Sequence, residues 1–338
     1  MISAQGVVLR IGARELLSGA SFRIGPGDRI GLVGRNGAGK TTLTRVLAGE
    51  ALATEGRITR SGDVGYLPQD PRTGDLDVLA RDRVLSARGL ADIAHRIART
   101  QDAMASASEA ERERAMTRYA RLEAEFSSRG GWAAESEAAR ITSSLGLPQR
   151  VLAQPLATLS GGQRRRVELA RILFSGADSL LLDEPTNHLD ADSIGWLREF
   201  LRSYEGGFVV ISHDAGLLRA CVNKVFHLDA GRAELDVYNV GWDAYLQQRE
   251  ADERRRRRER ANAEKKASAL MAQADKMRAK ATKAVAAQNM ARRAEKLLAG
   301  LDEGRVADRV ARIRFPEPAS CGRTPLMARG LSKSYGSE

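Results

Sequence analysis

Gly34-Arg35-Asn36-Gly37-Ala38-Gly39-Lys40-Thr41 is the stretch on which the fold turns. It follows Asp28-Arg29-Ile30-Gly31-Leu32-Val33, a short apolar run of strand character, and leads into Thr41-Thr42-Leu43 and onward to Ala48, which reads as a helix. Two outer glycines with four residues between them, then Lys and Thr, let backbone N–H groups and the start of a helix surround phosphate oxygens. Lys40 is placed to neutralise the outer phosphates. Thr41, with Thr42 beside it, offers a hydroxyl to Mg²⁺, a hard cation that prefers oxygen. Strand, phosphate loop and helix in that order predict an α/β fold that takes up Mg-ATP.

Working outward, two more buried strands are expected, Ser179-Leu180-Leu181-Leu182 and Gly207-Phe208-Val209-Val210-Ile211. The first exits into Asp183-Glu184: Asp183 suits the metal, and Glu184 suits a general base that polarises an attacking water. In open α/β sheets ligands collect at the carboxyl ends of the strands, and all three predicted ends carry such residues. Leu159-Ser160-Gly161-Gly162-Gln163, ahead of a basic helix, forms a second anion site at a helix start. One phosphate chain cannot use both sites of a single domain if they face different ways.

With Gln69 in Tyr66-Leu67-Pro68-Gln69 and His213 in Ser212-His213-Asp214, these stretches resemble, in order, the nucleotide-binding domain of ABC ATPases. The resemblance implies that Gln69 couples Mg²⁺ and water to the helical subdomain, that His213 contacts the γ-phosphate, and that Asp190 is the D-loop residue. It also implies that Ser160, Gly161, Gly162 and Gln163 serve a nucleotide on a different P-loop. One position departs from the family: Ile11 stands where an aromatic ring commonly stacks on adenine.

The rest of the chain narrows the resemblance. Residues from Leu90 to Ser144 carry Ile93, Ile97, Met104, Met116, Tyr119, Leu122 and Phe126 at helical spacing, so a helical insertion at about 77–150 is expected within an ATPase domain of residues 1–246. Between Gly241 and Gly300 there is neither Gly nor Pro, and Ala supplies 14 of the 39 residues from Ala261 to Ala299. That composition predicts long helix. Met277 with Met290 and Leu270 with Leu297 are symmetric about Lys283/Ala284, which predicts an antiparallel hairpin over 247–315 with its tip near 279–288; one continuous spacer helix is the alternative. The segment 316–338 ends in Ala328-Arg329-Gly330-Leu331-Ser332-Lys333-Ser334-Tyr335-Gly336, which parallels Ala4 to Gly12 and reads as a second copy that is cut off.

Charge is concentrated in that linker. Residues 249–314 hold 20 Lys and Arg against 10 Asp and Glu, leaving 34 against 33 for the remainder of a chain of net charge +11. A basic block beside a neutral domain points to an acidic polymer as partner. No apolar run approaches the length of a membrane helix, no secretory signal is legible, and Cys221 and Cys321 form no CxxC pattern. A cytoplasmic location is expected.

Asp183-Glu184-Pro185-Thr186-Asn187-His188-Leu189-Asp190, the insertion after Gln69 and the basic linker are similar to the ABC-F family of ATPases that work on ribosomes. The Arg- and Ala-rich sequence is similar to actinobacterial members of its antibiotic-resistance branch. The resemblance implies a second ABC domain, or another copy, to complete the ATP sandwich, and ribosomal RNA as the partner of residues 249–314. Two other readings carry the same loop motifs: the ATP-binding subunit of a transporter, and a catalytically silent RNA-binding remnant.

Overall fold

The computed structural model describes residues 1–69, 75–106, 109–278, 284–299 and 327–332. Two sheets share the domain. Strands β1 (Ile2–Ile11), β2 (Arg14–Ile24) and β4 (Glu55–Arg60) form an antiparallel sheet in the order β2-β1-β4. The larger sheet runs β5-β6-β7-β3-β8-β9, from β3 (Arg29–Gly34), β5 (Val64–Leu67), β6 (Ser179–Asp183), β7 (Gly207–Ile211), β8 (Lys224–Asp229) and β9 (Glu234–Tyr238). It is parallel except for β9, which pairs antiparallel with β8. The predicted α/β architecture is therefore present, with a phosphate loop after the central β3.

Apolar runs that read as continuous in sequence are divided between two faces by the two-residue period of a strand. Leu181, Val209 and Ile211 join a core with Ile2, Leu9, Leu43 and Leu47, under helix α1 (Lys40–Ala48). Leu180, Leu182, Phe208 and Val210 face the other way, onto a core shared with the helical insertion. That insertion consists mainly of α2 (Ala80–Leu85), α3 (Leu90–Ser106), α4 (Glu109–Ser128), α5 (Gly131–Ser144) and α6 (Gln149–Leu152), and it leads into α7 (Gly161–Phe174). Helices α8 (Ala191–Ser203) and α9 (Ala215–Cys221) complete this layer.

Register then brings the strand ends level. Asp183 pairs across from Ile211, Leu67 across from Leu182, and Gly31 lies between Val210 and Val225. The first residues beyond β3, β5, β6 and β7 emerge at one edge of the sheet.

The linker begins inside the domain. Helix α10 (Trp242–Arg278) has 37 residues, about 55 Å of helix, and its Tyr245 is buried in the core beside Trp242, Tyr238 and His227. Helix α11 (Ala284–Ala299) packs along it. The chain between them spans at most about 20 Å, shorter than the ~24 Å of α11, so the pair is antiparallel. Ala267 and Ala274 of α10 and Ala294 of α11 are buried at the seam, with Leu270 and Met290 half-buried. The side chains of Met277 and Leu297 and the tip residues 279–283 lie outside the described residues. So does the expected second-copy start at 316–338, apart from 327–332, where Met327 and Leu331 are exposed.

Candidate nucleotide site

The phosphate loop is shaped by backbone approaches that only glycine permits. A Cβ on Gly34 would lie 2.6 Å from the carbonyl oxygen of Leu228, and one on Gly39, at φ +101, would lie 2.9 Å from Leu16 Cδ1. Gly39 caps α1, whose first-turn N–H groups have no acceptor within the helix. Arg35, Asn36 and Gly37 are exposed, Ala38 is buried beneath them, and Thr42 is half-buried in the first turn of α1. Lys40 Nζ donates to the carbonyls of Gly34 at 2.9 Å and Arg35 at 3.0 Å, so the ammonium is held under the loop. Burial lowers its pKa, opposed by the charges of Asp183 and Glu184.

Thr41 Oγ1 donates to Asp183 Oδ2 at 2.7 Å across 142 residues of sequence. Asp183 is 1% exposed. Burial pushes its carboxyl pKa up, only partly countered by the Thr41 hydrogen bond and by the charges of Arg165 and Lys40. Two adjoining hard oxygen donors, one of them a carboxylate short of countercharge, fit a divalent cation such as Mg²⁺. When bound there, Mg²⁺ supplies positive charge to the outer phosphate oxygens.

Glu184 follows in a left-handed backbone conformation, φ +50, unusual for a residue with a β-carbon. Its N–H donates to the carbonyl of Ile211 at 2.9 Å. Its carboxylate faces His213, accepting from the backbone N–H at 3.3 Å and lying 3.4 Å from Nε2. Desolvation raises the Glu184 pKa while His213 opposes the shift, which moves the group toward the range useful to a base near neutral pH. The His213 ring is largely exposed, open to a ligand on the outer side of the site.

Gln69 lies two residues beyond β5 with its side chain exposed, and its carbonyl accepts from Arg165. Ser160 caps α7: its Oγ accepts from the N–H of Gln163 at 3.2 Å, and Gln163 Oε1 accepts from the N–H of Ser160 at 2.9 Å. Ser160 and Gly161 are exposed, and Gly162 is half-buried, where a Cβ would lie 3.5 Å from that of His188. Asp190 caps α8 through the N–H of Ser193 at 2.8 Å, a bond that lowers its carboxyl pKa. The structure thus joins Lys40, Thr41, Asp183, Glu184 and His213 at one sheet edge, with Gln69 alongside. Ile11 is 58% exposed at the end of β1 and puts no ring there.

Two contributors escaped the sequence reading. Arg165 is buried among the carbonyls of Gln69, Asp183 and Glu184. It stands in an Arg164-Arg165-Arg166 run that reads as a solvated basic face, yet Leu169 and Ile172 follow it at helical spacing, the signal that it turns inward. The second is the base of α10. A cavity of about 380 Å³ is bounded on one side by Gly34, Lys40, Glu184 and His213 and on the other by Trp242, Tyr245 and Arg249.

Comparison with known proteins follows the same lines. A family described as ABC transporter matches residues 17–187, and a second family of the same description matches residues 226–315. The tylosin resistance ATP-binding protein TlrC of Streptomyces fradiae is 38% identical over 265 residues, covering 76% of this chain and 47% of that protein. The energy-dependent translational throttle protein EttA of Haemophilus influenzae is 32% identical over 332 residues, covering 96% of this chain and 57% of that protein. The probable ATP-binding protein YheS of Escherichia coli strain K12 is 32% identical over 340 residues, covering 99% and 51%. The chain spans about half the length of these curated relatives. Among solved structures, the ATP-binding subunit of an ABC transporter superposes with a TM-score of 0.54 at 17% identity, over 73% of this chain and 92% of that one. At such identity the likeness speaks for the fold. Phosphate loop, strand-end carboxylates, capped Ser-Gly-Gly helix and matched family together establish that this chain belongs to the ABC ATP-binding domain family.

Proposed function

We propose that the chain is the ATPase-and-linker portion of an ABC-F protein that binds and hydrolyses Mg-ATP and acts on the ribosome, in the cytoplasm. The observation that carries this reading is the α10–α11 hairpin, which rises from the ATPase core at Trp242 and, with its continuation, concentrates the basic charge. Two relatives support it by name: one is called a translational throttle protein and the other a tylosin resistance protein. No helix among the described residues is long and apolar enough to cross a membrane. An ATP-binding subunit of a transporter shares the site but has no use for a basic hairpin.

At the site, Gly34 to Thr42 hold the phosphate chain, Lys40 exchanges loop carbonyls for phosphate oxygens, and Thr41, Gln69 and Asp183 hold the metal. Glu184 takes a proton from the attacking water, and His213 orients against the outer phosphate. Ser160 to Gln163, with Asp190, meet a nucleotide on the opposing P-loop, supplied by a second ABC domain or another copy. Closure of two such faces is stabilised by the terminal phosphate and released on its loss.

The linker contacts ribosomal RNA through phosphates. It offers charge without aromatic rings for stacking: residues 249–314 contain no Phe, Tyr or Trp. Part of its charge is already committed. Arg254 pairs with Glu250, Arg255 with Asp252 at 3.4 Å, and Arg257 with Glu253 at 3.8 Å, while Arg256 reaches back to Asp236 of β9 at 3.8 Å. The free contacts therefore belong nearer the tip. Lys276 is exposed there; the side chains of Arg278, Lys280 and Lys283 lie outside the described residues.

Ribosome co-sedimentation tests the reading, with the chain, with a form lacking residues 249–314, and with Lys276, Arg278, Lys280 and Lys283 changed to Ala. If six to ten phosphates are neutralised, affinity falls about 10³–10⁵-fold between 50 and 200 mM salt, and the deletion removes both the affinity and the salt slope. Retention of both by the deleted form moves the contact to the insertion, where Arg96, Arg99, Arg114 and Arg118 line a cleft between α3 and α4. Failure of every form to sediment rejects the ribosome as partner.

A further inference from the structure

Arg165 is 7% exposed, and its guanidinium lies where three motifs meet. Nη2 donates to the carbonyl oxygens of Asp183 and Glu184, each at 2.9 Å. Nη1 donates to the carbonyls of Pro68, at 3.5 Å, and Gln69. A planar fork of fixed donors can bridge two strand ends at once; the single ammonium of a lysine cannot.

The backbone it holds is strained. Glu184 at φ +50 carries a β-carbon into the left-handed region, a conformation that persists only where the surroundings over-determine it. Two constraints do so: the N–H of Glu184 is bound to Ile211, and its carbonyl is bound to Arg165. The result is a carboxylate turned toward His213. Without the guanidinium, one of these constraints goes, and the segment after β5 loses its tie to the segment after β6.

Arg165 also belongs to α7, whose capped start at Ser160 lies five residues away, about 7.5 Å along the helix axis. Over that distance a hydrogen-bonded helix is a stiff element that transmits displacement. We infer that Arg165 is a positioning residue that couples the two nucleotide positions of the ATP sandwich: engagement of Ser160 by an opposing nucleotide shifts α7, and Arg165 passes the shift to Glu184 and Gln69 of the chain's own site. This rests on the proposed sandwich and on Glu184 as base. The coupling is reciprocal, as any equilibrium linkage between two sites is.

The test uses the whole chain with Arg165→Lys and Arg165→Ala. ATP turnover is followed against chain concentration, so that self-association supplies the opposing Ser160, and amide hydrogen exchange is followed at residues 66–69 and 183–187 and at α1. For Arg165→Lys, kcat falls at least 10-fold with KM within twofold, and exchange at the two segments quickens at least 10-fold while α1 keeps its protection. Unchanged exchange with unchanged kcat overturns the inference. So does faster exchange spread evenly over the domain, which marks a merely structural arginine. If the unaltered chain turns over no ATP at any concentration, the sandwich reading fails, and the exchange measurement alone decides whether Arg165 clamps Glu184: unchanged protection rejects the clamp.

Discussion

The nucleotide site and the linker hairpin use the same charged residue types in opposite ways. At the site, Thr41 meets Asp183 across 142 residues, and Arg165 meets Gln69 across 96. Asp183 and Arg165 are buried, and each is held by more than one partner. In the hairpin the pairs are local: Arg254 with Glu250, Arg257 with Glu253, and Arg260 with Glu264 at 2.7 Å, all four residues apart on exposed helix. Charges of the first kind are fixed by the whole fold and are costly to disturb, because desolvation makes each depend on its partners. Charges of the second kind are screened, interchangeable and worth little singly. The same protein therefore holds a buried, densely bonded site and a long basic arm whose charges are solvated and locally paired. The join between them is the base of α10, where Tyr245 is buried and Arg249 lies with Lys40 on the wall of one cavity.

Substitution at the two ends of this contrast should differ in scale. Lys40→Ala removes the one ammonium under the phosphate loop, and calorimetric titration with Mg-ATP should show affinity weakened by about 100-fold or more, with circular dichroism unchanged. Binding within threefold of the parent would take the loop out of the site.

Glu184→Gln keeps the proposed phosphate contacts and removes the proposed base. Where two ATPase faces are present, turnover should fall by about 10²–10⁴ with ATP affinity retained. The unaltered protein should lose activity as pH falls through a value above the ordinary glutamate range, since burial raises this pKa and the protonated acid cannot accept a proton. A rate that stays level down to pH 4.5 would place the base elsewhere.

At the join, Tyr245→Ala empties a fully buried ring position and breaks the bond from Arg249 at 3.0 Å. Chemical denaturation should show a loss of about 3–5 kcal/mol. A loss under 1 kcal/mol would mean that α10 is only loosely seated on the domain.

Asp183→Asn runs in the other direction. Burial raises the Asp183 pKa in the folded state, so the folded chain takes up this proton more readily than the unfolded one. The stability is full below the unfolded value and is lost as pH rises through the folded value, which leaves the buried charge a cost at pH 7. Asparagine removes that cost and still accepts from Thr41. Without nucleotide, Tm should rise, while the Mg²⁺ requirement for ATP binding is lost. A lowered Tm would show that the carboxylate is better compensated than its surroundings indicate.

The smallest effect belongs to the hairpin. Arg260→Ala breaks the pair with Glu264 and should cost about 0.3–0.5 kcal/mol, with no change in ATP binding. An effect above 1 kcal/mol would show that the exposed pairs act as a network rather than one at a time.

Amino-acid order by itself determined the local features of this protein. The phosphate loop follows from glycine spacing between a strand and a helix, because only glycine accepts the approaches at Gly34 and Gly39. The buried strands follow from short apolar runs, and the long α10 from the absence of Gly and Pro, because both patterns act through near neighbours. The end of β6 was legible to within one residue: the apolar run stops at Leu182, and the strand runs on to Asp183. Tertiary structure alone decided what depends on distant partners. Arg165, between two other arginines, is drawn inward by carbonyls from β5 and β6 that no local pattern reports. Glu184 is set in its left-handed conformation by Ile211 and Arg165, from a different strand and a different helix. The seam of the hairpin centres on Ala267, Ala274 and Ala294 because two helices pack closest over small side chains, although the larger residues catch the eye in the sequence. The base of the linker lies against the nucleotide site because Tyr245 completes a core begun more than 150 residues earlier, at Leu67 and Val84. Burial is a property of the assembled layers, and it turned charges that look alike in a list of letters into a buried, mutually held cluster in one place and a solvated arm in another.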